Sequence, residues 1–188
     1  MIIPIVAFGD AVLKKECKEI DKNYPKLDEL IKNMFQTMDS ASGVGLAAPQ
    51  IGLPIRIFII DSTIMLEDDE ETNEVGLKEV FINAEIIEET GEEWAFEEGC
   101  LSIPDVREDV LRKPVVKLKY QTIEGEEKEE EFDGMTARVI QHEYDHIEGV
   151  LFTDHISAFK RQLLKGKLTN ITKGKVNVHY RMKFPKRK

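Results

Sequence analysis

The chain has few cysteines and no long apolar segment. Its 188 residues include two cysteines, Cys17 and Cys100, so at most one disulfide can form, and a cytosolic chain of this size does not need one. No apolar run reaches the roughly 18 residues that a membrane-spanning helix needs. The N-terminal stretch MIIPIVAFGD has neither the basic residues nor the small-residue cleavage site of a secretory signal. We therefore expect a cytoplasmic protein without a membrane segment.

Acidic residues are missing from the last part of the chain. From His155 to Lys188 there are eleven Lys and Arg and no Asp or Glu, whereas residues 1–154 carry a net charge of -21. Such a split is found at nucleic-acid contact surfaces. A basic helix and tail that simply offset an acidic body are the simpler interpretation.

Internal repeats and linkers are also absent, so we predict one domain over residues 1–188. Apolar residues at helical spacing predict helices in NYPKLDELIKNMFQTMDSASG, in DGMTARVIQHEYDHIEGVLF with Asp133 as N-cap and Gly149 as stop, and in SAFKRQLLKGKL. Strands are predicted in IRIFIID, VFINAEII and KVNVHYRMKF, and a hairpin turning at Gly125 in PVVKLKYQTIEGEEKEEEF. The acidic residues 67–74 are predicted to form an exposed loop. The fold class is therefore α+β, with mostly antiparallel β-sheets packed around a central helix.

Histidine is scarce, yet two of the four histidines lie four residues apart in the stretch QHEYDH. On a helix, His142 and His146 share one face and can reach the same metal ion. Glu143 follows the first histidine, where a carboxylate can exchange a proton with metal-bound water. The alternative is a surface helix with two solvated histidines, which the rarity of His in this chain disfavours.

A catalytic metal of this kind usually takes a third protein ligand. No Glu follows Glu148, and Phe152 stands where an extended zinc-peptidase pattern requires His, so neither common solution fits. Cys100 in EEGCLSIP offers a thiolate, which suits a site with two imidazoles. On its own, Cys100 would be interpreted as a small buried hydrophobe.

Three stretches together resemble the peptide deformylase family: GVGLAAPQ (Gly43 to Gln50), EGCLS (Glu98 to Ser102) and QHEYDH (Gln141 to His146). The resemblance extends to FGDAVLKK and LFTDHIS, and so to most of the chain. It implies a domain with antiparallel sheets around a histidine-bearing helix. It also implies removal of the formyl group from the N-terminal formyl-methionine of new polypeptides by metal-bound hydroxide.

The same resemblance implies roles for individual residues. The metal ligands are Cys100, His142 and His146, and the ion is Fe(II), with Zn(II), Ni(II) or Co(II) as substitutes that the ligand set also permits. Glu143 is the general acid/base, and Gln50 with the Leu101 backbone N–H stabilises the oxyanion. The remaining matches are predicted to shape the substrate site: the Gly43–Gly45 loop, along which peptide can pair, Val44 and Val139 around the methionine side chain, and a Glu98–Arg107 pair at its mouth.

The simpler interpretations are a turn-capping Gln50, a flexible Gly43–Gly45 loop, core valines and an exposed salt bridge. Two rival functions remain for the whole chain. One is a metallopeptidase that cuts internal bonds, and the other is a relative that binds formylated peptide or metal without turnover. The basic end is predicted to contact ribosomal RNA through Lys183, Lys186, Arg187 and Lys188, because the nascent-peptide substrate emerges from the ribosome.

Overall fold

The computed structural model of the protein describes residues 1–66 and 75–185. The predicted acidic loop at 67–74 and the basic residues Lys186, Arg187 and Lys188 lie outside the described residues. Within the described part, no helix is long and apolar enough to cross a membrane.

Five helices and nine strands carry the fold of the described residues. The helices are α1 Leu27–Ser40, α2 Thr63–Leu66, α3 Gly134–Ile147, α4 Phe152–His155 and α5 Ala158–Thr172. The strands are β1 Ile5–Val6, β2 Gly45–Ala47, β3 Ile57–Asp61, β4 Lys78–Thr90, β5 Trp94–Cys100, β6 Ile103–Arg112, β7 Val115–Gln121, β8 Glu127–Asp133 and β9 Met182–Lys183. Short 3₁₀ turns cover Ala11–Lys14 and Ala48–Ile51.

The strands form one larger sheet and two small ones. An antiparallel sheet has the order β2-β3-β4-β7-β8, and β5 pairs with β6 as a separate antiparallel hairpin. The mixture of helices and antiparallel sheets agrees with the predicted fold class. One pairing departs from it, because β1 and β9 run parallel, with Ile5 opposite Met182.

Helix α3 carries His142 and His146 and buries its opposite side in the core. Ala137, Ile140 and Ile147 join a cluster with residues of the large sheet, among them Phe58, Phe81, Val116 and Leu118. Asp133 occupies the N-cap position as predicted, although its side chain makes no capping hydrogen bond. Gly149 ends the helical region with a φ of 73°, where a Cβ would lie 2.9 Å from the Lys14 backbone. Only glycine satisfies both constraints at this stop.

The late strand is much shorter than predicted. Val176, Val178 and Tyr180 alternate as a strand would, but only Met182–Lys183 pairs with a neighbour. Val176 packs in a third apolar cluster, whereas Val178 and Tyr180 line a cleft. Alternation alone predicts strand-like faces, and a partner strand is needed to complete the ladder.

Candidate metal centre and active-site cleft

Three possible metal ligands converge at one end of a large cleft. The sulfur of Cys100 at the end of β5 and the ring nitrogens of His142 and His146 on α3 all lie within 4.8 Å of one another. The Cys100 Sγ is 3.3 Å from the His146 Nε2. One thiolate and two imidazoles form a donor set that suits a divalent transition metal. The residues that are present therefore fit such an ion.

Glu98 fixes the orientation of the His142 ring. Its Oε2 lies 2.9 Å from the His142 Nδ1, which leaves the Nε2 of that ring for a metal ion. Metal-binding histidines commonly have such a carboxylate partner, which sets ring orientation and tautomer. Glu98 is itself held by Arg112, at 2.7 and 3.0 Å, and by the Arg138 Nη1 at 3.1 Å.

The predicted pair between Glu98 and Arg107 is wrong, because Glu98 pairs with Arg112. Arg107 lies 3.9 Å from Glu97 instead, and both of those side chains are largely exposed. Alternate residues of a strand point to opposite faces. In the β5–β6 hairpin, Glu98 and Arg112 are on the buried face, whereas Glu97 and Arg107 are on the exposed one.

The ion-pair network continues from Arg112 to the surface. The Arg112 Nη2 lies 2.8 Å from Asp145, and the same Asp145 oxygen lies 2.8 Å from the Nε2 of His155. The chain of contacts therefore runs from His155 through Asp145, Arg112 and Glu98 to His142. Arg112, Arg138 and Asp145 were not predicted from the sequence, and His155 was a downstream ligand candidate without a supporting pattern. For Arg112 the available signal was the alternation of apolar Val106 and Val110 with charged residues along β6.

The chain's own charges set the pKa values of Cys100 and Glu98. Burial by itself raises the pKa of the Cys100 thiol, but His146 and His142 outweigh it and lower the pKa to about 5. Burial also acts against ionisation of Glu98, but His142 and Arg112 hold its pKa well below the usual range. Cys100 is therefore suited to the thiolate form that binds a metal ion. Glu98 is suited to the carboxylate form that orients His142.

Glu143 is buried beside the convergence of the ligand atoms. Burial raises the pKa of its carboxyl to about 7, against the opposing influence of His142 and His146. Within the described residues its Oε2 has no hydrogen-bond partner. A Cβ added to Gly45 would lie only 2.5 Å from the other carboxylate oxygen, so β2 packs directly on this side chain. Glu143 is thus a confined carboxyl that exchanges a proton near neutral pH.

Gln50 directs its side-chain amide nitrogen towards Cys100. Its Oε1 accepts a hydrogen bond of 2.8 Å from the Ala47 N–H, which fixes which end of the amide faces inward. The Nε2 then lies 3.5 Å from the Cys100 Sγ and 3.4 Å from the Ser102 Oγ. The side chain is almost fully buried, so Gln50 caps the 3₁₀ turn through its Oε1 and at the same time holds its Nε2 beside the possible metal ligands.

The cleft has a volume of about 1110 Å³ and gathers most of the predicted site residues. Among its lining residues are Gly43, Val44, Gly45, Gln50, Glu98, Cys100, Leu101, Arg107, Val139, His142 and Glu143. His146 is buried below this surface. Close packing, in addition to any loop flexibility, explains a glycine at position 43. A Cβ at Gly43 would lie 2.8 Å from the Leu101 side chain.

Known proteins resemble the chain over nearly its whole length. A family model described as polypeptide deformylase matches residues 2–162. A peptide deformylase of Christiangramia forsetii is 60% identical over 194 residues, which cover 100% of this chain and 98% of the relative. A peptide deformylase crystal structure from Legionella pneumophila is 37% identical with a TM-score of 0.79, covering 93% of this chain and 98% of that one. A Thermotoga maritima structure is 41% identical with a TM-score of 0.73, covering 84% and 99%. The likeness therefore extends well beyond three short stretches.

Proposed function

This chain belongs to the polypeptide deformylase family, and we propose that Cys100, His142 and His146 hold its catalytic metal ion. The protein is a peptide deformylase, an enzyme that removes the N-formyl group from the N-terminal methionine of new polypeptides. In this proposal α3 is the central, metal-binding helix of the fold. The observation that carries it is the convergence of one sulfur and two ring nitrogens within 4.8 Å, beside the buried Glu143.

We propose Fe(II) as the physiological ion, with Zn(II), Ni(II) or Co(II) able to take its position. A thiolate with two imidazoles accepts all four, so this choice rests on the family. When bound, the ion supplies Lewis acidity that activates water and polarises the formyl carbonyl. Anaerobic purification followed by metal analysis tests the identity, and a stoichiometric metal other than iron would overturn the choice.

Glu143 moves the proton in the proposed reaction. Its Oε2 takes a proton as water attacks the formyl carbon and gives it to the departing amine. A carboxyl with an ordinary pKa would be ionised at neutral pH, and so would be a weak acid catalyst there. The pKa of about 7 that burial produces suits Glu143 both to accepting the proton from water and to donating it to the amine.

Gln50 and the Leu101 backbone stabilise the negative charge that develops on the formyl oxygen. The Gln50 Nε2 is held towards the ligands by the Ala47 N–H, and the Leu101 N–H follows Cys100 directly in the chain. Preorganised donors cost no reorganisation during reaction, and the loss of one typically raises the barrier by about 3 kcal/mol.

The peptide substrate pairs with β2 in this proposal. β2 is an edge strand of the five-stranded sheet, and its first residue, Gly45, lines the cleft. An edge strand can take an extended peptide as an added strand. Val44 and Val139 line the same cleft and receive the methionine side chain. Arg107 contributes from the cleft rim, whereas Glu98 acts by orienting His142.

The decisive assay is release of formate from formyl-Met-Ala-Ser by the wild type and by Glu143→Ala. We expect formate from the wild type, and bound metal without turnover in the variant. Turnover by Glu143→Ala would remove Glu143 from the mechanism. Analysis of peptide fragments after incubation with unformylated peptides tests the rival metallopeptidase, since cleavage of an internal bond would favour it.

We further propose that the enzyme works in the cytoplasm and touches the ribosome transiently through its basic C-terminal end. The residues from His155 onward carry no acidic side chain, and phosphate contacts depend strongly on basic residues. Reversing the charges of Lys183, Lys186, Arg187 and Lys188 should weaken co-sedimentation with ribosomes. Unchanged association would rule this contact out.

A further inference from the structure

The chain returns to the cleft after its last helix. Residues 175–181 follow α5 and run past the opening of the site before β9 pairs with β1. Asn177, Val178, His179 and Tyr180 line the same cleft as the Gly43–Gly45 loop. All of them lie beyond residue 162, where the family match ends.

Tyr180 holds the loop that links β5 to β6. Its hydroxyl donates a hydrogen bond of 2.8 Å to the Leu101 carbonyl, across 79 residues of sequence. Its ring is partly buried against the apolar cluster that also receives the Leu101 side chain. On the other side of the loop, the Phe8 N–H donates to the Ser102 carbonyl at 2.8 Å.

The contacts made by Tyr180 and Phe8 both come from segments that are hydrogen-bonded to each other. The Ile5 N–H donates to the Arg181 carbonyl and the Ala7 N–H to the Lys183 carbonyl, both at 2.9 Å. The N-terminal segment therefore anchors β9, which follows Tyr180, and it also binds the loop directly through Phe8. Consecutive carbonyls at Leu101 and Ser102 are thus held from two directions.

We propose that Tyr180 is a positioning residue for the oxyanion donor of the active site, an inference that rests on the proposed role of the Leu101 N–H. The N–H and the carbonyl of Leu101 belong to neighbouring peptide planes that meet at its Cα. Holding the carbonyl plane limits rotation about the Leu101 backbone, and so fixes the direction of the N–H. An oxyanion donor is effective only when it points in advance at the place where charge develops.

The test is Tyr180→Phe, which removes one hydroxyl and keeps the ring. We expect kcat to fall about three- to tenfold, the equivalent of one neutral hydrogen bond, while KM changes less than twofold. Tyr24→Phe is the matched control, because Tyr24 is also partly buried against the same cluster. Its kcat should stay at the wild-type value. An unchanged kcat in Tyr180→Phe would overturn the proposal.

Hydrogen exchange supplies a readout that needs no turnover. The Leu101 amide should exchange faster in Tyr180→Phe than in the wild type, while amides of α3 keep their rates. Unchanged exchange at Leu101, or a uniform rise across the protein, would overturn positioning in favour of a general packing role.

The proposed function and the positioning role of Tyr180 can be tested independently of each other. If wild-type enzyme releases no formate from formyl-Met-Ala-Ser, the proposed function is lost. The exchange rate of the Leu101 amide then decides alone whether Tyr180 fixes the loop: a faster rate supports the contact, and an equal rate overturns it.

Discussion

Gly45 and Glu143 lie so close together that neither can change without affecting the other. Glu143 is buried with one unpaired oxygen, and the backbone of Gly45 covers the other. A methyl group at position 45 would occupy the space of the carboxylate. The smallest residue in β2 therefore defines where the Glu143 carboxylate stands.

Gly45→Ala should reduce activity by displacing Glu143. The added Cβ would lie 2.5 Å from the carboxylate, well inside normal contact, so the side chain must move. Displacements of this size typically cost about 10- to 100-fold in kcat. Gly166→Ala in α5 is the control, because no atom lies within 4 Å of its added Cβ. Full activity of Gly45→Ala in the formate assay would contradict this account.

Glu143→Gln should stabilise the metal-free protein at pH 8 while abolishing deformylation. The folded state keeps the Glu143 proton up to a pKa of about 7, whereas an unfolded chain releases it near a pKa of about 4.3. Stability from this group is therefore lost as pH rises through that window, by on the order of 3 kcal/mol at pH 8. Glutamine carries no charge and avoids the loss.

Urea unfolding of metal-free wild type and Glu143→Gln at pH 8 and pH 5 checks this linkage. The difference in unfolding free energy should shrink at pH 5, where the folded carboxyl is protonated. An equal difference at both pH values would mean that burial does not raise the pKa of Glu143.

At the scale of elements, the β5–β6 hairpin presents two different faces to two environments. Glu98, facing inward, joins Arg112, Arg138 and His142, so one strand orients a histidine that belongs to a helix. Arg107 lies on the exposed face of the hairpin, at the rim of the cleft. The hairpin is therefore the connection between the metal centre and a buried ionic network.

Arg112→Ala should destabilise the protein and weaken metal binding, whereas Arg107→Ala should do neither. Removing Arg112 leaves the buried Glu98 with less compensation, and breaking a buried pair typically costs about 3–5 kcal/mol. Loss of a partner behind a metal-binding histidine typically lowers metal affinity about 10- to 100-fold. Arg107 is exposed, and its removal should change stability by less than about 0.5 kcal/mol.

Thermal unfolding and competition with a metal chelator measure the two effects. Equal behaviour of the two arginine variants would show that the network behind His142 has no influence on metal binding.

Local spacing made part of this site predictable. His142 and His146 share a helix face by periodicity alone, and the family resemblance added Cys100, whose sulfur the structure brings within 4.8 Å of their ring nitrogens. Arg112 was not predicted, because the family resemblance pointed to Arg107, although alternation along β6 puts Arg112 on the buried face with Val106 and Val110. Tyr180 has no local signal, since its contact with Leu101 spans 79 residues and depends on how β9 is placed.

At the scale of the molecule, several acidic side chains are ionised through buried or partly buried pairs. Burial would raise the pKa values of Glu98, Asp145 and Asp61, yet their partners outweigh it and lower all three. His142 and Arg112 act on Glu98, His155 and Arg112 on Asp145, and Lys78 with Thr63 on Asp61. These pairs bridge β-strands, helices and loops, so the fold as a whole depends on their charge.

We expect the protein to lose stability as pH falls below about 4.5. An unfolded chain takes up protons there, whereas the folded carboxylates resist them, so the stability present at neutral pH disappears as pH falls through the folded pKa values. Because the pKa of Glu98 is held well below its usual range, its contribution is lost gradually as pH falls below about 4.5. Urea unfolding at pH 7, 5 and 4 measures the slope, which should be shallower in Glu98→Gln. A flat profile would contradict the paired state of these carboxylates.

The parallel contact between β1 and β9 joins segments that are far apart in the sequence, with Ile5 opposite Met182. Closing so long a loop is a slow step, and it cannot begin before the ribosome has delivered the C-terminal strand. A product that stops short of Tyr180 would retain all three candidate metal ligands yet lack the clamp on Leu101. A chain cut before Tyr180 should therefore turn over more slowly than a chain that keeps β9, even if the three candidate ligands still hold an ion.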